Sequence, residues 1–159
     1  MPRLAHVLLA MWLTVGCGEG DIQRADARFS TPEHTVDTLL TTYGLNDMPQ
    51  EAIQRQIVQR GAFELRDEAT WRLCFADLDQ PGGEGLAGYV LGLLAAGRDD
   101  LRFETTHEGG AAIVRDGIRI VFAHGSDGAY RIVLRESVPE DVRRGLLMVE
   151  ENHRESIRE

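Results

Sequence analysis

The chain has 159 residues, 43% hydrophobic and 27% charged, the balance of one globular domain rather than of a disordered segment or two full domains. Its formal charge is −9, and all 17 basic residues are arginine. With no basic run longer than Arg143–Arg144, so acidic a chain repels phosphate backbones, which excludes nucleic acid as an expected partner.

The first element is an address rather than a part of the fold. "MPRLAHVLLAMWLTVG" has a positive start and an apolar run from Leu4 to Val15, too short to cross a bilayer as a helix and laid out like a secretory signal peptide. The run ends in small residues and passes directly into Cys17. "LTVGC", with Thr14, Val15 and Gly16 before Cys17, resembles the lipobox of bacterial lipoproteins, although leucine is commoner at the position of Thr14. The resemblance implies cleavage between Gly16 and Cys17 and a diacylglyceryl group on the Cys17 thiol, a third acyl chain often following. Two or more chains make a stable anchor where one is marginal. An apolar N-terminal helix with a buried cysteine, or simple secretion, are the other readings. Neither explains why the apolar run stops at Gly-Cys and becomes "GEGDIQRADAR". Gly18 rather than aspartate after the cysteine implies, by the enteric sorting rule, the outer membrane facing the periplasm. Without residues 1–16, the 16 remaining arginines against 26 acidic residues leave −10. A lipidated Cys17 leaves Cys74 as a lone thiol, expected to be buried.

Residues 17–29 are expected to be the lipidated cysteine and a polar tether, reaching about 40 Å if extended. A single domain is expected over 30–150, with a frayed polar tail at 151–159. Thr31 can cap a helix that Pro32 starts, with Val36, Leu39, Leu40 and Tyr43 at helical spacing and Gly44 as its stop. A second helix is predicted from Pro49 to Arg60, with Ile53, Ile57 and Val58 inward and Gly61 ending it. A third, from Asp67, should bury Trp71, Cys74, Phe75 and Leu78. After the loop "DQPGGEG", a fourth helix over 84–96 carries Leu86, Tyr89, Val90, Leu93 and Leu94 and stops at Gly97.

The period then changes from near 3.6 to 2. "LRFET" alternates as a strand. "AAIVRDGIRIVFA" reads as a hairpin with the two-residue turn Asp116-Gly117, setting Ile113 opposite Ile120 and Ala111 opposite Phe122. Both its faces are apolar, so it should be central in the sheet, covered on both sides or lining a pocket on one. "AYRIVLRE" is read as a further strand alternating Tyr130, Ile132 and Leu134 against Arg131, Val133 and Arg135. A last helix follows Pro139 with Val142, Leu146 and Val149 inward. The expected fold class is α+β: N-terminal helices, a curved antiparallel β-meander, and a C-terminal helix.

The opening "TPEHTVDTLLTTY" and the later "IRIVFAHGSDGAYRIV", with Gly128, Tyr130, Arg131 and Ile132 in the closing strand, resemble the nuclear transport factor 2-like superfamily over roughly residues 30–136. The resemblance implies a cone, in which a strongly curved sheet wraps a helix. The helix at 84–96 and the tail from Pro139 depart from its usual pattern.

No residue set for catalysis, metal or cofactor emerges. His34, His107, His124 and His153 form no HxxxH pair or HExxH motif, although His107 and His124 can approach across strands. "DLDQPGGEG" places Asp77, Asp79 and Gly82 as in a calcium loop, but Pro81 and Gly88 occupy ligand positions. Ser126 and Asp127 lie in a turn without the strand–turn–helix context of a serine nucleophile. Gly109-Gly110 precedes a strand, so it is no phosphate loop. Tyr43, Tyr89 and Tyr130 each belong to an apolar stripe. The expected function is therefore a lipid-anchored envelope lipoprotein with a non-enzymatic binding or scaffold domain. It meets the membrane through Cys17 and a small apolar ligand or an envelope protein through the domain. The alternative is a small-molecule enzyme, isomerase- or dehydratase-like, with a carboxylate or histidine beside a tyrosine inside the cone.

Overall fold

The computed structural model describes residues 26–156. Residues 26–29, expected as the end of the tether, already belong to the fold. Asp26 caps a 3-10 turn over Ala27–Phe29, and Phe29 is buried in the core.

Helix α1 (Pro32–Thr42) follows from its local signals. The Thr31 hydroxyl accepts from the His34 N–H at 3.1 Å, and Pro32 occupies the first turn, where its missing N–H costs nothing. At the other end Gly44, at φ 66°, sends its N–H to the Thr41 carbonyl while the Leu45 N–H reaches the Leu40 carbonyl. This paired closure needs a left-handed residue at that point. Val36, Leu39 and Leu40 are buried, and threonines pin the helix elsewhere. The Thr35 hydroxyl donates to the Tyr130 carbonyl at 2.7 Å and the Thr38 hydroxyl to the Arg28 carbonyl at 2.9 Å.

Helix α2 (Gln50–Arg60) buries only Ile53 completely. Val58, expected inward, is 84% exposed, because one residue beyond Ile57 is about 100° round the helix and α2 packs chiefly on a single neighbour. That neighbour is α4 (Gly83–Ala96), whose last carbonyls, at Ala95 and Ala96, are capped by the Gln50 and Gln54 amides. In α4 the fully buried side chains are Leu86, Ala87, Val90, Leu91, Leu94 and Ala95, while Tyr89 and Leu93 are half-buried. Helix α3 (Glu68–Leu73) is shorter than predicted. Trp71, Cys74, Phe75 and Leu78 are all buried, but the helix stops at Leu73 and Phe75 bridges in parallel to Ile132 before the chain bends and turns.

Strands β1 (Arg102–Thr105), β2 (Gly109–Ile113), β3 (Arg119–His124) and β4 (Tyr130–Ile132) form one antiparallel sheet in sequential order. The hairpin is central, as its two apolar faces required, but its register differs from prediction by one residue. Ile113 pairs with Arg119, Ala112 with Ile120, and Gly110 with Phe122. The loop holds three residues, Arg115–Gly117, with positive φ at both Asp116 and Gly117. The predicted register would set Arg119 opposite the buried Val114. The observed one turns Arg119 to the other face, where it meets Glu104 at 2.8 Å.

The last predicted strand also ends early. After Ile132 the chain turns into a short helix, α5 (Leu134–Ser137), because the Asp77 carboxylate accepts from the N–H groups of Leu134 at 2.8 Å and Arg135 at 3.1 Å. Ser137 then ties α5 to the sheet, accepting from the Val121 N–H at 2.9 Å. Helix α6 (Glu140–Ser156) runs through the segment expected to be frayed. Val142 and Leu146 are half-buried, while Val149, expected inward, is 67% exposed. Among the described residues this is an α+β fold: helices, a four-stranded antiparallel sheet, and a C-terminal helix. Helix α1 lies against β1, β2 and β4.

Candidate functional site

Gly16 and Cys17 lie outside the described residues. Cys74 is buried as a free thiol, its Sγ–H directed at the Thr70 carbonyl. Burial pushes its pKa up to about 12, with Arg28 opposing and Asp67 adding to the shift. Such a thiol holds almost no thiolate and is a packing group.

The remaining candidates disperse. His34 Nδ1 is 2.8 Å from the Ser30 hydroxyl, and His107 is 3.5 Å from the adjacent Glu108. His124 stacks on Tyr130 at 4.4 Å, while the Tyr130 hydroxyl donates to the Thr106 carbonyl. Asp77 caps α5, whereas Asp79 is fully exposed, so the calcium-like spacing is not assembled. No group of three or more His, Cys, Asp or Glu able to hold a metal occurs among the described residues. Asp127 pairs with Arg131 at 2.6 Å across the turn, away from any acyl-transfer arrangement with Ser126. Gly109 and Gly110 are packing glycines: a Cβ on either would come within 2.7 Å of a backbone carbonyl oxygen. The buried polar side chains of the described core are Thr35, Thr38, Thr42 and Ser137, each bonded to backbone carbonyls.

A groove of about 760 Å³ runs between α6 and the 78–82 loop with the first turn of α4. Leu78, Pro81, Leu146 and Val149 form its apolar part, and Arg72, Glu150 and His153 its polar rim. The loop reaches α6 through Gly82, at φ 77°, which packs against the Leu147 side chain. Helix α6 rests mainly on α4, so the outward Met148 is 60% exposed beside Val149. A signal for this site stands in the sequence: four consecutive apolar residues, Leu146 to Val149, cover most of a helix's circumference and cannot all face one core. Chemically the groove offers an open apolar surface with both signs of charge at its edge.

No protein-family model, no curated protein and no solved structure matches the chain. Among the described residues no helix is long and apolar enough to cross a membrane.

Proposed function

We propose that this chain is a lipid-anchored bacterial envelope lipoprotein whose folded part is a non-enzymatic binding domain. The observation that carries the reading is the abrupt end of the apolar run at Gly16-Cys17, with residues from Asp26 on already part of the fold. The intervening residues, 18–25, span at most about 25–30 Å, so the domain would stay close to its membrane. Cys17 carries the acyl groups, and the outer membrane facing the periplasm is the proposed location.

Binding rather than chemistry is favoured by what the core and groove contain. Threonine and serine hydroxyls in the core are spent on backbone carbonyls, and the groove beside α6 is open, with an apolar part and a charged rim. Its open form, with Met148 and Val149 outward, suits the side chains of an envelope protein better than an enclosed small molecule. A nuclear transport factor 2-like cone is the proposed finer fold, supported by α1 lying against three of the four strands.

The test is the intact mass of the full chain extracted from bacterial membranes, denatured and then native. A chain beginning at Cys17 and heavier by a diacylglyceryl or triacyl group is expected, with Cys17→Ala unprocessed and unlipidated. A protein subunit should add mass only in the native spectrum. An unmodified chain retaining Met1 would overturn the anchor, and a native mass identical to the denatured one would overturn the partner.

A further inference from the structure

Two arginines of this acidic chain share a cleft and have no carboxylate partner among the described residues. Arg60 ends α2, and Arg66 lies in the segment that leads to α3. Their cleft, of about 460 Å³, is formed by the end of α1, helix α2 and residues 62–66.

The backbone of Arg66 is held in place. Its N–H donates to the Thr42 carbonyl at 2.8 Å, and its guanidinium lies directly on Gly44, where a Cβ would stand 2.1 Å from Nη1. The glycine that closes α1 therefore also makes the shelf for this side chain. Tyr43, half-buried, lines the same cleft. The buried Trp71 indole N–H has no hydrogen-bond partner. A phenolic hydroxyl such as that of Tyr43 can donate a hydrogen bond to an anion.

The cleft is thus lined by two guanidiniums, which can only donate, and by a phenolic hydroxyl, beside the apolar Met48 and Phe63. Glu64 is its one acidic lining residue, so a single net positive charge remains, which matches a monoanion better than a phosphate dianion. We propose that this cleft binds an organic carboxylate, its oxyanion held by Arg60, Arg66 and the Tyr43 hydroxyl and its apolar part lying on Met48 and Phe63. The site shares no lining residue with the groove beside α6 and does not rest on the lipid anchor.

The test is a ¹H–¹⁵N NMR titration of the full chain in non-ionic detergent with 3-phenylpropionate, 3-phenylpropanamide and phenyl phosphate. Saturable shifts at the Gly44 and Arg66 amides are expected with the carboxylate. Arg60→Gln and Arg66→Gln should each weaken binding at least about ten-fold, the scale of a hydrogen bond to a charged group. Tyr43→Phe should weaken it several-fold. Both arginines are exposed and make no internal side-chain bond among the described residues, so an unchanged melting temperature in these variants separates lost binding from lost fold. Absent saturation with the carboxylate, equal binding of the neutral amide, tighter binding of the phosphate, or indifference to Arg66→Gln would each overturn the assignment.

Discussion

Replacing Asp77 by alanine removes a cap that belongs to a helix 57 residues further along the chain. In the structure one carboxylate oxygen accepts from the Leu134 N–H at 2.8 Å and the other from the Arg135 N–H at 3.1 Å. Leu134 is 1% exposed, so water has little access to its donor once the carboxylate is gone. A buried donor left unpaired costs about 1–3 kcal/mol. Arg135 is exposed, water replaces its partner, and its share is about 0.5 kcal/mol or less. The expected loss is about 2 kcal/mol, a large part of the ~5–15 kcal/mol that holds a domain folded. With a urea slope of ~1–3 kcal/mol per molar, the midpoint should fall by about 1 M, read by far-UV circular dichroism and by fluorescence of the buried Trp71. Asp77→Asn keeps an acceptor oxygen for the Leu134 N–H and should lose less than half as much. A midpoint for Asp77→Ala within about 0.2 M of the parent would refute the cap. Equal losses in the two variants would assign the effect to charge rather than to the acceptor.

Two glycines of α4 should respond to alanine with opposite signs. At Gly83 a Cβ would stand 1.9 Å from the Leu78 carbonyl oxygen, and backbone cannot yield, so Gly83→Ala should destabilise by at least about 2 kcal/mol. Gly85 has open space, and Gly85→Ala should gain about 0.5–1 kcal/mol; calorimetric melting temperatures moving the same way would contradict the packing. At the 125–128 turn, the Arg131 guanidinium, assisted by the Ala129 N–H, holds the Asp127 carboxyl at about 2. Because the folded value lies below the ordinary one, this stabilisation is complete above about pH 4 and is lost as pH falls through about 2. Melting temperature should therefore drop more steeply between those pH values in the parent than in Asp127→Asn, and parallel curves would count against the ion pair.

Most of the elements were readable along the chain because their signals are local. Thr31, Pro32 and Gly44 mark both ends of α1 within the span of its own hydrogen bonds. The change of period after Gly97 announces the sheet for the same reason, since alternation is a property of adjacent residues. Burial of Trp71, Cys74, Phe75 and Leu78 was also legible, although the helix assumed to carry all four stops at Leu73. The cleft at Arg66 was not legible. Tyr43, Arg60 and Arg66 show no motif spacing, and what makes them a group is the lodging of the Arg66 guanidinium on Gly44. The four apolar residues from Leu146 to Val149 carried a readable excess, but only the packing of α6 on α4 shows which of them stay outside.

By itself the sequence determined the α+β order, the limits of α1, the apolar α4 and the acidic surface, because capping, periodicity and charge are set by neighbours within a few residues. The hairpin register, the end of β4 and the start of α5 were decided only by the tertiary structure. Arg119 had to leave the buried face for Glu104, and Leu134 needed an acceptor brought from Asp77. Both choices lie between residues at least 15 positions apart, where no local propensity distinguishes one partner from another and the burial of a charge or of an unpaired N–H decides.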